Sequence, residues 1–160
     1  MAEPLLQSGS LAEFTALSRG NVDAGRFLYQ MVYVLHLWDD FVDGDNPRSR
    51  ADIQKGFWFA LVEIPSNPFY QANYEALNSD LQTAILNWQA ANRLEEDRRA
   101  GDLSIAFICR SEYVNLLLKV ALLCGGAEYA AAVAPEVRRF AHAEGFGEYQ
   151  AGLGKEQRTD

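Results

Sequence analysis

Apolar residues return at the helical period along most of this chain, and nowhere do they alternate at period two over a useful length. That pattern selects an all-α fold. Ser10-Leu11-Ala12-Glu13 has capping-box spacing and predicts a short helix over Leu11–Ser18. Arg19-Gly20 stops it, and Asn21 caps a long helix over Val22–Val42. Phe27, Met31, Val34, Leu35, Trp38, Phe41 and Val42 form the apolar arc of that helix. Further helices are expected over Asp52–Val62, Tyr70–Arg99 and Leu103–Leu123, with a loop at Ile64–Pro68 and a clear stop at Gly125-Gly126. A last helical region begins near Ala127 and is divided by Pro135. The leader near 1–9 reads as flexible. The tail near 145–160, with Gly145, Gly147, Gly152 and Gly154, reads as irregular. Amphipathic helices must bury their apolar faces against one another, so the expectation is one compact bundle of about five to seven helices.

At 160 residues the chain is long enough to bury a core without disulfides. Its net charge of −8 disfavours general nucleic-acid binding and docking to an anionic membrane. It does not exclude an anionic substrate, because a bound cation reverses the local field. Cys109 and Cys124 lie in apolar helical stretches without a Cys-x-x-Cys motif and read as free thiols in a reducing compartment. No signal peptide is visible. Arg110, Glu112 and Lys119 interrupt the best candidate for a membrane-crossing segment. The expected location is the cytoplasm.

The end of the first long helix reads His36-Leu37-Trp38-Asp39-Asp40-Phe41-Val42-Asp43. At about 100° per residue, His36, Asp39, Asp40 and Asp43 share one third of the helix surface. Tyr29 and Tyr33 extend that face. Carboxylates in the last turns of a helix oppose the macrodipole and repel one another. Water, an arginine or a divalent cation would compensate them. Mg²⁺ or Mn²⁺ fits hard oxygen ligands and is commonly held by one or two carboxylates together with substrate phosphates.

The Asp-Asp-x-x-Asp pattern of Asp39, Asp40 and Asp43 resembles the aspartate-rich motif of class I isoprenoid (terpenoid) synthases. The resemblance covers only this stretch of one helix. It implies a helix lining an all-α cavity, with Asp39 and Asp43 holding Mg²⁺ that binds a diphosphate and Asp40 supporting or ligating. The second metal motif of those enzymes has no clean match, and Glu95-Glu96-Asp97 is acidic at a different spacing. The chain is also similar in size and helical content to the small all-α nucleoside triphosphate pyrophosphatases, whose facing acidic helices hold Mg²⁺.

Outside the cluster, Glu95 falls on the apolar face of its helix and is a candidate metal ligand, with Asn92 nearby. Arg110 lies on an apolar stripe between Phe107 and Val114. It needs a partner there, either the Asp39–Asp43 cluster or a phosphate. Glu112, Asn115 and Lys119 share the opposite face, where Glu112 is a further candidate ligand. His36 could serve as a base for an attacking water. His142 is expected on a solvated face. No P-loop, dinucleotide glycine motif or Ser/His/Asp arrangement appears.

These residues compose one functional expectation: a divalent-metal-dependent enzyme acting on a diphosphate, nucleotide or related phosphoester, with hydrolysis favoured over prenyl transfer. Asp39, Asp43, Glu95 and Glu112 would hold the metal, and His36, Asp40 and Arg110 would assist the chemistry. A homodimer could complete such a site between subunits. The alternative is a non-enzymatic helical adaptor or inhibitor that meets a basic protein partner through the acidic patch.

Overall fold

The computed structural model describes residues 4–44 and 46–156. Asp45 and the parts of the expected leader and tail that fall on 1–3 and 157–160 lie outside them. The fold is all-α, with no strand among the described residues. In chain order the elements are α1 (Leu11–Leu17), α2 (Val22–Asp43), α3 (Arg50–Trp58), a π turn (Phe59–Glu63), α4 (Ile64–Ser66), α5 (Pro68–Ala72), α6 (Tyr74–Asp97), α7 (Asp102–Cys109), α8 (Val114–Ala141) and α9 (Phe146–Glu156).

Local chemistry sets the start of the bundle. Ser10 Oγ accepts from the Glu13 amide while Glu13 Oε2 accepts from the Ser10 amide, so the capping box closes in both directions. Asn21 Oδ1 accepts from the Ala24 amide and opens α2. Helices α1 and α2 pack so closely that a Cβ on Gly25 would sit 2.6 Å from Thr15 Cα. Gly44 ends α2 in the left-handed region at φ 71°, a conformation that costs glycine little.

Around α2 the main core gathers Phe14, Leu17, Phe27, Leu28, Leu77, Val114, Leu117, Val120 and Val137, all fully buried. Each such side chain contributes about 1.5–3 kcal/mol by leaving water. Phe14 meets Phe140 edge-on at 6.1 Å, and Phe27 stacks on Tyr70 at 5.2 Å. A smaller cluster joins Ala91 of α6, Ala106 and Phe107 of α7, and Phe146 and Tyr149 of α9. The cleft between these two cores positions the candidate site.

Several boundaries differ from the sequence expectation. The chain stays helical through Ile64–Ser66, because Pro65 occupies the first turn of α4, where an amide donor is not needed. The expected Tyr70–Arg99 helix breaks at Asn73, whose side chain donates to the Phe69 carbonyl at 2.9 Å and so competes with the helical ladder. The expected Leu103–Leu123 helix is divided by the turn that carries Arg110 to Tyr113. Tighter bonds close that turn, from the Ser111 amide to the Ile108 carbonyl and from the Val114 amide to the Ser111 carbonyl. Gly125-Gly126 does not stop α8. Gly126, at φ 79° and ψ 176°, makes a kink, and the helix resumes beyond it.

The tail forms α9 from Phe146 to Glu156 rather than irregular chain, because Phe146 and Tyr149 bury against Phe107. The leader is also tied down over its described part. Leu6 is buried, Glu136 accepts from the Leu5 and Leu6 amides, and Glu13 accepts from those of Gln7, Ser8 and Gly9. Contrary to expectation, Val114–Leu153 is long and apolar enough, by length and composition alone, to cross a membrane. Its chain is kinked at Gly126, and Val114, Leu117, Val120 and Val137 pack into the core. Both cysteines are free and partly buried.

Candidate functional site

Helices α2 and α6 face each other with a carboxylate pair on one and a carboxylate–amide pair on the other. Asp39 and Asp43 are one turn apart on α2, and Asn92 and Glu95 are a similar interval apart on α6. The turn after α7 inserts Arg110 between them. Arg110 Nη1 donates to Glu95 Oε1 and Oε2 at 3.0 and 2.8 Å and to Asn92 Oδ1 at 3.1 Å. Arg110 Nη2 donates to Asp43 Oδ2 at 2.5 Å and to Asp39 Oδ1 at 3.3 Å.

Two further donors brace the acids. Trp88 Nε1 donates to Asp39 Oδ1 at 2.6 Å, and the Tyr149 hydroxyl donates to Glu95 Oε1 at 2.5 Å. Three carboxylates thus surround one guanidinium, leaving two negative charges more than positive ones. The Arg110 side chain is 21% exposed and those of Glu95, Asp43 and Asp39 12%, 25% and 40%, so water screens the imbalance only in part.

Burial raises the Asp39 carboxyl above its ordinary value, against the pull of Arg110 and of the Trp88 hydrogen bond. Burial opposes the charge on Arg110, but Glu95, Asp39 and Asp43 together hold that guanidinium more firmly protonated than usual. Among the described residues no three His, Cys, Asp or Glu side chains gather into a ready metal cage. The acidic oxygens face the guanidinium instead.

Beside the cluster lies a cavity of about 280 Å³, bounded by α2, α6, α7, the Arg110–Tyr113 turn, the end of α8 and the start of α9. Trp38, Trp88, Phe107, Tyr113 and Tyr149 supply aromatic wall, and Arg110 and Asp39 reach it from the acidic end. The Trp38 and Trp88 rings are 5.0 Å apart, and the Tyr113 ring meets His36 edge-on at 5.7 Å. His36 is open to water yet densely surrounded by protein, as a side chain projecting into a concavity must be. This confinement lowers its proton affinity despite nearby Asp39 and Asp40. Confinement and Arg138 lower that of His142. The Tyr113 hydroxyl is pushed up to about 12 by burial.

The fold therefore brings Asp39, Asp43, Glu95 and Arg110 together, with His36 on the adjoining cavity wall. It separates two other candidates from them. Asp40 is buried and accepts from the Arg48 side chain, because its position on α2 turns it toward the segment entering α3. Glu112 points away from Arg110. It accepts from Arg138 Nη1 at 3.0 Å and from Asn115 Nδ2 at 2.6 Å, and Lys119 of the same helix pairs with Asp80 at 3.5 Å.

His142 lines the cavity against Phe107 rather than a solvated face. Tyr149 was hidden in the glycine-rich tail, although Phe146, Tyr149 and Leu153 already sit at helical spacing. Trp88 was legible as an apolar-stripe residue, but its indole donor role was not. No protein-family model matches the chain, no curated protein matches it, and no solved structure matches it.

Proposed function

We propose that the chain is a divalent-metal-dependent enzyme that acts, by hydrolysis, on a phosphate-bearing small molecule held between the acidic cluster and the cavity. The observation that carries this reading is the charge imbalance of three carboxylates about one guanidinium at a cavity wall. Half-buried excess negative charge is costly, and a divalent cation is its natural complement. Asp39, Asp43 and Glu95, with the Asn92 carbonyl, offer the oxygen donors that Mg²⁺ or Mn²⁺ prefers. Arg110 bridges these oxygens. If a divalent cation took those oxygens, Arg110 would be left to bind phosphate oxygens in a bidentate contact. His36 lies on the cavity wall, where burial lowers its proton affinity and so favours the neutral imidazole that a base for water requires. The Asp39–Asp43 pair lies on a helix beside a cavity, which supports this reading without naming a family.

The test is calorimetric titration with Mn²⁺ and Mg²⁺, with and without pyrophosphate, on the wild type, Asp39→Asn and Asp43→Asn. Saturable binding lost in both variants, with their helical circular dichroism intact, is the expected result. Wild-type protein that takes up neither ion under any of these conditions would end the proposal.

A second reading, a helical adaptor or inhibitor, draws on the exposed Phe57, Trp58 and Leu61 of the α3–π segment. The acidic side chains it would offer a basic partner are already engaged by Arg110.

A further inference from the structure

The cavity wall is mainly aromatic, with Leu35, Ala84, Ile85 and Ala141 as its aliphatic part, but it is not chemically blank. His36, the Trp38 indole nitrogen and the Tyr113 hydroxyl line the cavity and make no side-chain hydrogen bond among the described residues. The polar atoms of Trp38 and Tyr113 are not sealed from water and His36 is an exposed residue, whereas the His142 Nδ1 atom is both sealed and unpartnered. Any polar contact that His142 makes with a ligand therefore passes through Nε2. A saturated hydrocarbon group in this space would strip water from these polar atoms and return nothing. A planar heterocycle satisfies both features, because its face stacks on aromatic rings and its edge carries donors and acceptors. The volume of about 280 Å³ equals about nine waters at ~30 Å³ apiece, which suits one small ring system.

We propose that this cavity is a base-binding subsite that accepts the planar heteroaromatic ring of a nucleotide, stacked on Trp38, Trp88 or Phe107 and hydrogen-bonded at its edge by His36, Tyr113 and His142. The inference rests on the reading that Arg110 receives the phosphate, and it narrows the substrate class to nucleoside phosphates. Arg110 reaches the same cavity, so ring and phosphate are served by one continuous site.

The experiment uses tryptophan fluorescence in a Trp58→Phe background. Trp58 is 57% exposed, and its removal leaves only the two cavity indoles as reporters. The probes, titrated with MgCl₂ present, are nucleoside monophosphates, free nucleosides, ribose 5-phosphate, geranyl diphosphate and inorganic pyrophosphate. At least one nucleotide should quench the signal and bind at least tenfold more tightly than ribose 5-phosphate. Tyr113→Phe and His142→Phe should each weaken that nucleotide severalfold while leaving pyrophosphate affinity unchanged. Nucleosides that bind when pyrophosphate does not would keep the base subsite and remove the phosphate role of Arg110. Three outcomes overturn the inference: ribose 5-phosphate equalling every nucleotide, geranyl diphosphate binding best and gaining affinity in His142→Phe, or no nucleoside or nucleotide binding at all.

Discussion

Arg110→Met is the sharpest perturbation of the acidic cluster, because it removes the positive charge and keeps most of the volume. Breaking a fully buried ion pair from one side costs about 3–5 kcal/mol, and an exposed pair is worth about 0–1 kcal/mol. The Arg110 side chain is 21% exposed and its partners 12% (Glu95), 25% (Asp43) and 40% (Asp39), so the cluster lies between those limits, nearer the buried one. A loss of about 2–3 kcal/mol at pH 7 follows, including the repulsion among the carboxylates left behind. Urea denaturation followed by circular dichroism measures it. The gap from wild type should narrow as pH falls, because protonation of the orphaned carboxylates relieves their repulsion. Saturating Mn²⁺ should also restore stability to the variant, by about 2.7 kcal/mol at a hundredfold excess over the dissociation constant. A variant within about 1 kcal/mol of wild type at pH 7, or a gap that does not change with pH, would refute the claim that Arg110 balances these acids.

Three other outcomes are expected. Asp40→Asn should cost about 2 kcal/mol in urea denaturation by weakening the hold on Arg48, yet leave pyrophosphate affinity unchanged, since Asp40 lies outside the cluster. Gly25→Ala should destabilise by about 1–3 kcal/mol in the same assay, because its methyl would strike the Thr15 backbone. His36 and His142 both have folded proton affinities below the unfolded value of 6.5. Their contribution to stability is therefore present above that pH and is lost as pH falls through the folded values. His36→Asn should flatten the decline in unfolding free energy measured below pH 6.5.

The long amphipathic elements were legible because periodicity and caps agreed. Ser10 with Glu13, Asn21 and Gly44 each act locally, so the ends of α1 and α2 can be read within a few residues of sequence. The pairing of Arg110 with Asp39 and Asp43 was also within reach, as a charge on an apolar stripe demands a partner. The breaks at Asn73 and at the Arg110–Tyr113 turn were not legible, since tertiary packing overrides uninterrupted helical periodicity there. Asp40 shows the resolution of an angular argument. It shares a third of the helix with Asp39, but the path of the following segment sends it to Arg48. Tyr149 was missed because glycine content outweighed apolar spacing in reading the tail.

Glu95 accepts from two directions at once, from Arg110 at the heart of the acidic cluster and from Tyr149 near the chain's far end. A carboxylate shared in this way makes the last helix a reporter. Withdrawal of Arg110 would free Glu95 to tighten its hold on the phenol, while a cation that captured Glu95, as proposed, would loosen it. The ease with which a protease cuts around α9 should thus register, from outside the molecule, what has entered its interior.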